Sequence, residues 1–375
     1  MDVIDLVTQE DLRELTALHR QIHQHPELGS DLPNTVSVVS TCLRSLGIEP
    51  VFAYGRCSAA AYIGPESAKT TIAIRAEMDA LPITEETGLA YASQIPGRMH
   101  ACGHDAHTAI LLTVARVLRR HVRELPCRVK LLFQPGKAGG ESGAKRMADN
   151  GAVDDADLVL GTQVENTIEA GCIGVRAGSH MAARDSAVVT FHAGGAGADA
   201  MQMAVRARAG LETLVPELCG GEAYTFRAES PRAEDPGGAG LELTFSCHHD
   251  ALREHVRAKC AQLCSAVASD LGGSAETDWQ LRVPAVFNDE HLTAAFCRSV
   301  ARVLPGALRQ APLCGESNDF AFLLRRKPGL IFLTGTRNEA LGCTSPAGRS
   351  DFRIDEAGMR QAVYALLQFL LDRHG

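Results

Sequence analysis

The stretch His100-Ala-Cys-Gly-His-Asp-Ala-His107 places three imidazoles and a thiol, with the carboxylate of Asp105 among them, within eight residues. A thiolate at Cys102 and an imidazole at His104 suit a divalent metal such as zinc. The residues that follow are apolar and long enough for a helix, so the stretch is predicted to lie at a helix N-terminus. Backbone N–H groups there favour a thiolate or an anionic ligand. The alternative is a polar loop with an ordinary helix cap at Asp105 or Thr108. The density of such residues favours a functional site.

The composition limits the classes of function. The chain has 375 residues, of which 45% are hydrophobic, and this is enough for two domains with substantial cores. The net charge is −8 without a basic run, so we expect no nucleic-acid partner. No apolar run approaches the ~20 residues of a membrane span, and the acidic start lacks the positive region of a secretion signal. The 12 cysteines are scattered singly, as is typical of reduced thiols, and we expect a cytoplasmic protein without membrane contacts.

Strands alternate with helices in the first and last parts of the chain. Apolar runs typical of buried strands lie at residues 59–63, 70–75, 128–134, 158–164 and 329–335, with helical segments between them. This alternation predicts an α/β fold with a mostly parallel, helix-covered sheet.

The pattern changes near residue 184. A strand, a helix, two strands, a helix and a strand follow, in the β-α-β-β-α-β order of a ferredoxin-like α+β unit. Its first helix is predicted over residues 198–210, and the Gly-, Pro- and acid-rich segment 231–240 is predicted to be a loop. We therefore predict a discontinuous α/β domain, residues 1–183 and 287–375, with an inserted domain, residues 184–286.

Further motifs accompany the His/Cys stretch along the chain. They are His19-Arg-Gln-Ile-His-Gln-His-Pro-Glu-Leu-Gly29, Arg75-Ala-Glu-Met-Asp-Ala-Leu-Pro-Ile83, Phe133-Gln-Pro135, Gly171-Cys-Ile-Gly-Val-Arg-Ala-Gly178, Glu316-Ser-Asn-Asp-Phe320 and Ser350-Asp-Phe-Arg-Ile-Asp-Glu356. Together they resemble the M20 metallopeptidases, specifically the amidohydrolases that cleave N-acyl amino acids, hippurate and indole-acetyl amino acids. The resemblance implies a catalytic α/β domain and an inserted lid domain through which the chain forms a homodimer.

The resemblance also implies a two-metal site from which this chain departs. The family's ligands are the Cys and His of a Cys-Gly-His motif, the second Glu of a Glu-Glu pair, a His after the next strand and a C-terminal His. Cys102 and His104 are present. The segment with the Glu pair reads Gly136-Lys-Ala-Gly-Gly-Glu141, the strand-end His is Gln163, and the C-terminal motif reads Thr344-Ser-Pro346. We therefore expect one divalent metal, zinc or manganese, or none.

Site residues are assigned from the retained motifs and from the replacements. The predicted catalytic residues are Cys102, His104, Asp79, Lys137 and Glu141, with Cys102 and His104 as metal ligands, and the predicted substrate contacts are His100, His107, Gln163 and Arg349. Lys137 stands where the family keeps carboxylates, and it either binds an anionic group or is a solvated loop lysine. The lid His of the family is Ala196. His19, His23 and His25 are expected to make structural contacts rather than bind metal.

Three functions are compatible with these residues. The first is an amidohydrolase-like enzyme of a specialised pathway, which acts at an amide or acyl group of an amino-acid-derived small molecule through a reduced metal site. The second is a cyclase, acyl transferase or lyase in which Cys102 is the nucleophile and a neighbouring His the base, without metal. The third is a catalytically dead binding subunit. We adopt the first as the working prediction.

Overall fold

The computed structural model describes residues 3–136, 142–195, 198–234 and 237–373. Its contacts divide the chain into two units. The first consists of Met1–Gly178, Asn288–Pro312 and Phe322–Gly375, and the second of Ser179–Phe287 and Leu313–Ala321.

The predicted boundaries assign residues 313–321 to the α/β domain, whereas the structure groups them with the second unit. Backbone pairing explains this grouping. The Cys314 N–H donates to the His180 carbonyl at 2.9 Å, and the Ala182 N–H donates to the Cys314 carbonyl at 3.0 Å.

The strands are named in chain order. They are β1 (Ala59–Ile63), β2 (Thr71–Glu77), β3 (Arg128–Gln134), β4 (Leu158–Glu169), β5 (Ile173–Val175), β6 (Gly178–Met181), β7 (Ala183–Ala193), β8 (Tyr224–Ala228), β9 (Arg232–Glu234), β10 (Gly238–Cys247), β11 (Gly273–Val283), β12 (Val286–Asn288), β13 (Leu308–Gln310) and β14 (Gly329–Arg337).

The α-helices are named in the same way. They are α1 (Val3–Leu6), α2 (Gln9–His23), α3 (Pro33–Ser45), α4 (His104–Arg120), α5 (Gly143–Asp149), α6 (Ala200–Cys219), α7 (Asp250–Asp270), α8 (Glu290–Val303), α9 (Ala321–Leu324) and α10 (Met359–Leu371). Short 3₁₀ helices cover Val122–Glu124, Glu339–Leu341 and Glu356–Gly358. Within the ranges described above, none of the helices combines the length and the apolar character that crossing a membrane requires.

A mostly parallel sheet forms the centre of the first unit. Its strand order is β1-β3-β2-β4-β14-β5-β13. β2 runs parallel to β3 and β4, and β14 runs parallel to β4, whereas β1 is an antiparallel edge strand. Consecutive residues of β2, such as Ile72, Ala73 and Ile74, are all buried, as expected for a strand covered on both faces. The predicted helix-covered parallel sheet is confirmed.

The second unit contains an antiparallel sheet with the order β11-β7-β10-β8. Alternate residues of β7, namely Ala187, Val189 and Phe191, share one core with Met203 of α6 and Val256 of α7. One face of the sheet therefore carries both helices. The sequence β7-α6-β8-β10-α7-β11 is the predicted ferredoxin-like order, which is thus confirmed.

Two local predictions in this unit are wrong. Helix α6 continues to Cys219 instead of ending at Gly210, because this glycine lies at a close approach of two helices: a Cβ there would be 3.2 Å from Leu263 Cδ1 of α7. The segment 231–240 is not only a loop, since it includes β9, which pairs with the start of β10.

Candidate functional site

The His/Cys stretch lies where parallel strands of the first sheet end, which is the edge at which open α/β sheets place ligand sites. β2 ends at Glu77 and is followed by Asp79. On the neighbouring strand β4, Gln163 lies two residues past the last residue paired with β2. Helix α4 begins at His104. The sheet and the helix N-terminus thus bring together three of the predicted site residues, Asp79, His104 and Gln163.

The turn into α4 requires a glycine at position 103. Gly103 has φ +74°, and a Cβ on this residue would lie 2.1 Å from Val164 Cγ2 of β4. Gly103 is also the residue that precedes the first helical turn, without a side-chain cap. The caps considered from the sequence, Asp105 and Thr108, are therefore wrong. The Thr108 hydroxyl instead donates to the Glu77 carbonyl at 2.7 Å.

We expect Gly103→Ala to lower the free energy of unfolding by about 2–5 kcal/mol. The left-handed backbone costs about 1–2 kcal/mol for alanine, and the contact with Val164 adds about 1–3 kcal/mol of overpacking. Gly97→Ala is the matched control, because Gly97 has the same φ of +74° and a Cβ there would meet no atom of the described residues within 4 Å. Urea unfolding of both variants measures the difference. Equal losses would show that the packing of Gly103 on Val164 contributes nothing.

His104 is held in the orientation of a metal ligand. Its Nδ1 lies 2.8 Å from the Asp79 carbonyl and 2.9 Å from Asp79 Oδ1, so Nδ1 carries a proton and donates. Nε2 is then the atom able to coordinate, as in many metal-bound histidines. Burial lowers the pKa of His104, but the Asp79 carboxylate outweighs it and raises the value to about 9. Asp79 thus orients the His104 ring and favours a positive charge on it or beside it.

Cys102 immediately precedes this arrangement. Its side chain is partly buried, and its carbonyl lies 3.4 Å from Nε2 of Gln163, the residue at the position of the family's strand-end His. The Gln163 amide therefore donates to the turn that carries the thiol.

His107 has a different role from His104. Its Nε2 accepts the Val164 N–H at 2.9 Å, and its Nδ1 donates to Glu77 Oε2 at 3.0 Å. An imidazole that accepts at one nitrogen and donates at the other is neutral, and burial lowers the pKa of His107 accordingly. Both nitrogens of His107 therefore have partners within the protein, and its role as a substrate contact stays a prediction.

One group of side chains beside the His/Cys stretch has the spacing of metal ligands. Glu77, His104 and His107 bring ligand atoms within 4.8 Å of one another. However, both nitrogens of His107 are already engaged, and Glu77 forms a buried ion pair with Arg75. Burial works against the charge of Glu77, but Arg75 and His107 hold its pKa well below the usual value. Of these three side chains, His104 is the one whose Nε2 is left available for an ion by its contacts with Asp79.

The remaining predicted residues are placed as follows. Lys137 and Glu141 lie outside the described residues. Thr344 and Arg349 are exposed. The Gly348 N–H donates to the Ala101 carbonyl at 2.8 Å, which brings the loop of Arg349 to the His/Cys stretch.

A second group of histidines surrounds Asp105. His19 and His23, one turn apart on α2, both face Asp105 Oδ2, at 3.2 Å from His19 Nε2 and 2.6 Å from His23 Nδ1. The outer nitrogen of His19 lies 2.8 Å from Glu356 Oε1, and that of His23 lies 3.2 Å from Glu85 Oε1. Acidic and basic side chains therefore alternate along one row, in the order Glu356, His19, Asp105, His23 and Glu85.

Charge alternates along this row. Burial opposes protonation of both imidazoles, but the carboxylates on either side outweigh it, so the pKa of His19 is raised and that of His23 is raised to about 10. Burial likewise opposes ionisation of Asp105, yet the facing imidazoles hold its pKa well below the usual value. Without a metal, the row therefore holds protons between Asp105 and its two histidines.

His100 lies beside this row and is only 1% exposed. Among the described residues, neither its ring nitrogens nor Asp105 Oδ1 has a hydrogen-bond partner. Burial lowers the pKa of His100 to about 4, so the ring is neutral. With His19, His23 and Asp105 it lines a cavity of about 10 Å³, the room of one water molecule.

Glu85 and Glu356, which face the outer nitrogens of His23 and His19, were not predicted from the sequence. The i, i+4 spacing of His19 and His23 indicates one helix face, and this was the available signal for the group. The two glutamates carry no such signal, because they lie far from α2 in the sequence.

Comparison with known proteins places this geometry in a family. The model of peptidase family M20/M25/M40 matches residues 73–372. The chain is 30% identical to the N-acetyl-L-cysteine deacetylase of Bacillus subtilis (strain 168), over 97% of this chain and 89% of the relative. It is 28% identical to the IAA-amino acid hydrolase ILR1-like 6 of Arabidopsis thaliana, over 100% of this chain and 84% of the relative.

A solved structure agrees with these matches. The YXEP protein of Bacillus subtilis, a dinuclear metal-binding peptidase from the M20 family, superposes with a TM-score of 0.84 at 26% identity, over 97% of this chain and 98% of that chain. The family predicted from the motifs and the prediction of an M20-like enzyme are both confirmed by these matches. The chain belongs to peptidase family M20/M25/M40.

Proposed function

We propose that the protein is an amidohydrolase that cleaves the amide of an N-acylated amino acid or a related small molecule, with a single divalent metal at Cys102 and His104. The deacetylase and the IAA-amino acid hydrolase among its relatives support this substrate class. The observation that carries the proposal is the orientation of His104 by Asp79, directly after the Cys102 thiol.

The replaced residues support a reduced site. Gln163 offers an amide, a weaker ligand than imidazole, and that amide donates to the Cys102 carbonyl. Thr344 is exposed. Zinc or manganese is the ion we expect, since a thiolate and an imidazole favour zinc, while carboxylate and carbonyl oxygens nearby also suit harder ions.

The chain's own residues have separable tasks in this proposal. A bound divalent ion supplies Lewis acidity for the scissile carbonyl and for water. Asp79 fixes the His104 tautomer, so that Nε2 would be the atom that holds the ion. The N-terminal end of α4 stabilises the Cys102 thiolate. Glu141 and Lys137 remain predicted catalytic residues. His100, His107, Gln163 and Arg349 remain predicted substrate contacts.

The metal content tests the proposal directly. We expect purified protein, loaded with zinc or manganese and desalted, to lose one ion per chain when Cys102 and His104 are both replaced by alanine, and we expect no pair of ions at this site. Elemental analysis of the parent and the double variant gives the difference. A loss of two ions on this substitution would contradict a mononuclear site, and no loss would contradict any metal there.

Substrate turnover is tested with a panel of N-acyl amino acids, including N-acetyl-cysteine, by detection of the released amine. Turnover that needs added metal supports the hydrolase. Turnover or transfer by metal-free protein that still needs Cys102 would favour the cysteine-dependent enzyme. Binding without any turnover would favour the dead subunit.

We further propose that the inserted domain joins two chains. Its antiparallel sheet ends at β11 on one edge and at β8 and β9 on the other, and an edge strand pairs readily with a second copy. We expect light scattering at micromolar concentration to give the mass of a dimer. A monomer under these conditions would contradict this proposal.

A further inference from the structure

We propose that His19, His23, His100 and Asp105 form a second metal site, which binds one zinc ion. The site is distinct in its ligands from the ion proposed at Cys102 and His104, and it takes up His100, which the sequence alone predicted as a substrate contact. Three imidazoles and a carboxylate make a four-ligand set of the kind that zinc prefers.

The positions of the rings suit a shared ion. Ligand atoms of His19, His23 and Asp105 lie within 4.8 Å of one another, and all three residues are buried. The ring centroids of His19 and His23 are 5.7 Å apart, and those of His23 and His100 are 6.3 Å apart. Two imidazoles on one zinc ion, at Zn–N of about 2.0–2.1 Å, have centroids roughly 5–6 Å apart. His19 and His23 therefore already have the spacing of two ligands on one ion, and His100 would join them by a shift toward His23.

The outer nitrogens of two of the rings are already fixed by carboxylates. His19 Nδ1 faces Glu356, and His23 Nε2 faces Glu85. A carboxylate behind each ligating histidine is the usual support of a protein metal site, because it sets the tautomer and makes the imidazole more basic. Tyr91 packs its ring against the edges of both imidazoles and limits their rotation.

Asp105 already joins two of the rings. Its Oδ2 lies 3.2 Å from His19 Nε2 and 2.6 Å from His23 Nδ1. A zinc ion bound between these atoms would take the place of the protons in the two contacts, and those protons would pass to solvent.

His100 is the observation that favours an ion over a set of hydrogen bonds. Among the described residues its ring nitrogens have no partner, which is unfavourable for a buried imidazole, and Asp105 Oδ1 is in the same position. Both groups line the cavity between the rings. A zinc ion in this cavity would give a partner to the His100 ring and to the second oxygen of Asp105.

Cobalt provides the test, because it replaces zinc and its spectrum reports the ligands. The experiment uses the full chain with Cys102→Ala, stripped of metal and titrated with Co²⁺. We expect one Co²⁺ per chain, bound with a Kd of about 1 µM or tighter. Visible bands of tetrahedral cobalt should appear without a thiolate-to-cobalt charge-transfer band. No binding by this folded variant would overturn the proposal.

Substitution of the ligands separates this site from any other. His100→Leu should weaken Co²⁺ binding at least about 10-fold and abolish the rise in melting temperature that Zn²⁺ produces. This variant breaks no hydrogen bond among the described residues. His19→Gln should have the same effect without changing the packing of His100. The control is His25→Ala, which removes an exposed imidazole two residues from His23. Unchanged binding in both ligand variants, or an equal loss in the control, would overturn the proposal.

Discussion

Replacement of Cys102 by alanine is expected to lower kcat/KM by about 100-fold or more on the best substrate of the N-acyl amino acid panel. The thiol lies directly before α4, and the variant removes one of the two side chains proposed to hold the ion. Loss of a ligand weakens metal binding more than loss of the groups that support it, which already costs about 10–100-fold. The measurement is steady-state turnover of both proteins at one zinc or manganese concentration, chosen as the lowest that saturates the parent.

Cys297→Ala is the control for a general effect of cysteine removal. Cys297 is a partly buried thiol on α8 in the same unit, and its replacement should leave kcat/KM within about twofold of the parent, since most surface-near changes cost under ~0.5 kcal/mol. Unchanged turnover after Cys102→Ala would mean that this thiol is a remnant of an ancestral metal site and would refute its proposed role.

Replacement of Asp185 by alanine is expected to lower the free energy of unfolding of the second unit by about 3–5 kcal/mol. Asp185 on β7 is fully buried, and its two oxygens accept from Arg253 of α7 at 2.7 Å each. Arg253 is itself only 6% exposed. The variant leaves a guanidinium buried without its bidentate partner, and Arg257, 3.7 Å from the same carboxylate, loses an attraction as well.

Glu254→Ala is the matched control in urea or thermal unfolding. Glu254 is exposed and pairs with Arg257 at 2.7 Å, so its removal should cost at most about 1 kcal/mol. The double variant Asp185→Leu with Arg253→Met should recover much of the lost stability, because an apolar pair can replace a buried ion pair. A loss under about 1 kcal/mol for Asp185→Ala would show that this buried pair does not stabilise the unit.

Much of the fold could be predicted from local patterns. Buried strands are visible in the sequence as continuous apolar runs, and the change to β-α-β-β-α-β order marked the second unit. The errors arose where contacts distant in sequence override local preference. Gly210 resembles a helix end, but in α6 it allows Leu263 of α7 to approach. Residues 313–321 join the second unit through bonds to residues more than 100 positions earlier, which no local pattern encodes.

Residue identity and spacing were enough to predict the family, the sheet that carries the site, and Cys102 and His104 as the proposed ligands. Only the tertiary structure separated residues of the same type. His104 faces Asp79 and keeps Nε2 for coordination, whereas His107, three residues on, uses both nitrogens within the protein. The physical reason is that the state of an imidazole depends on the groups its two nitrogens face, and the fold brings those groups from strands and loops far away in the chain.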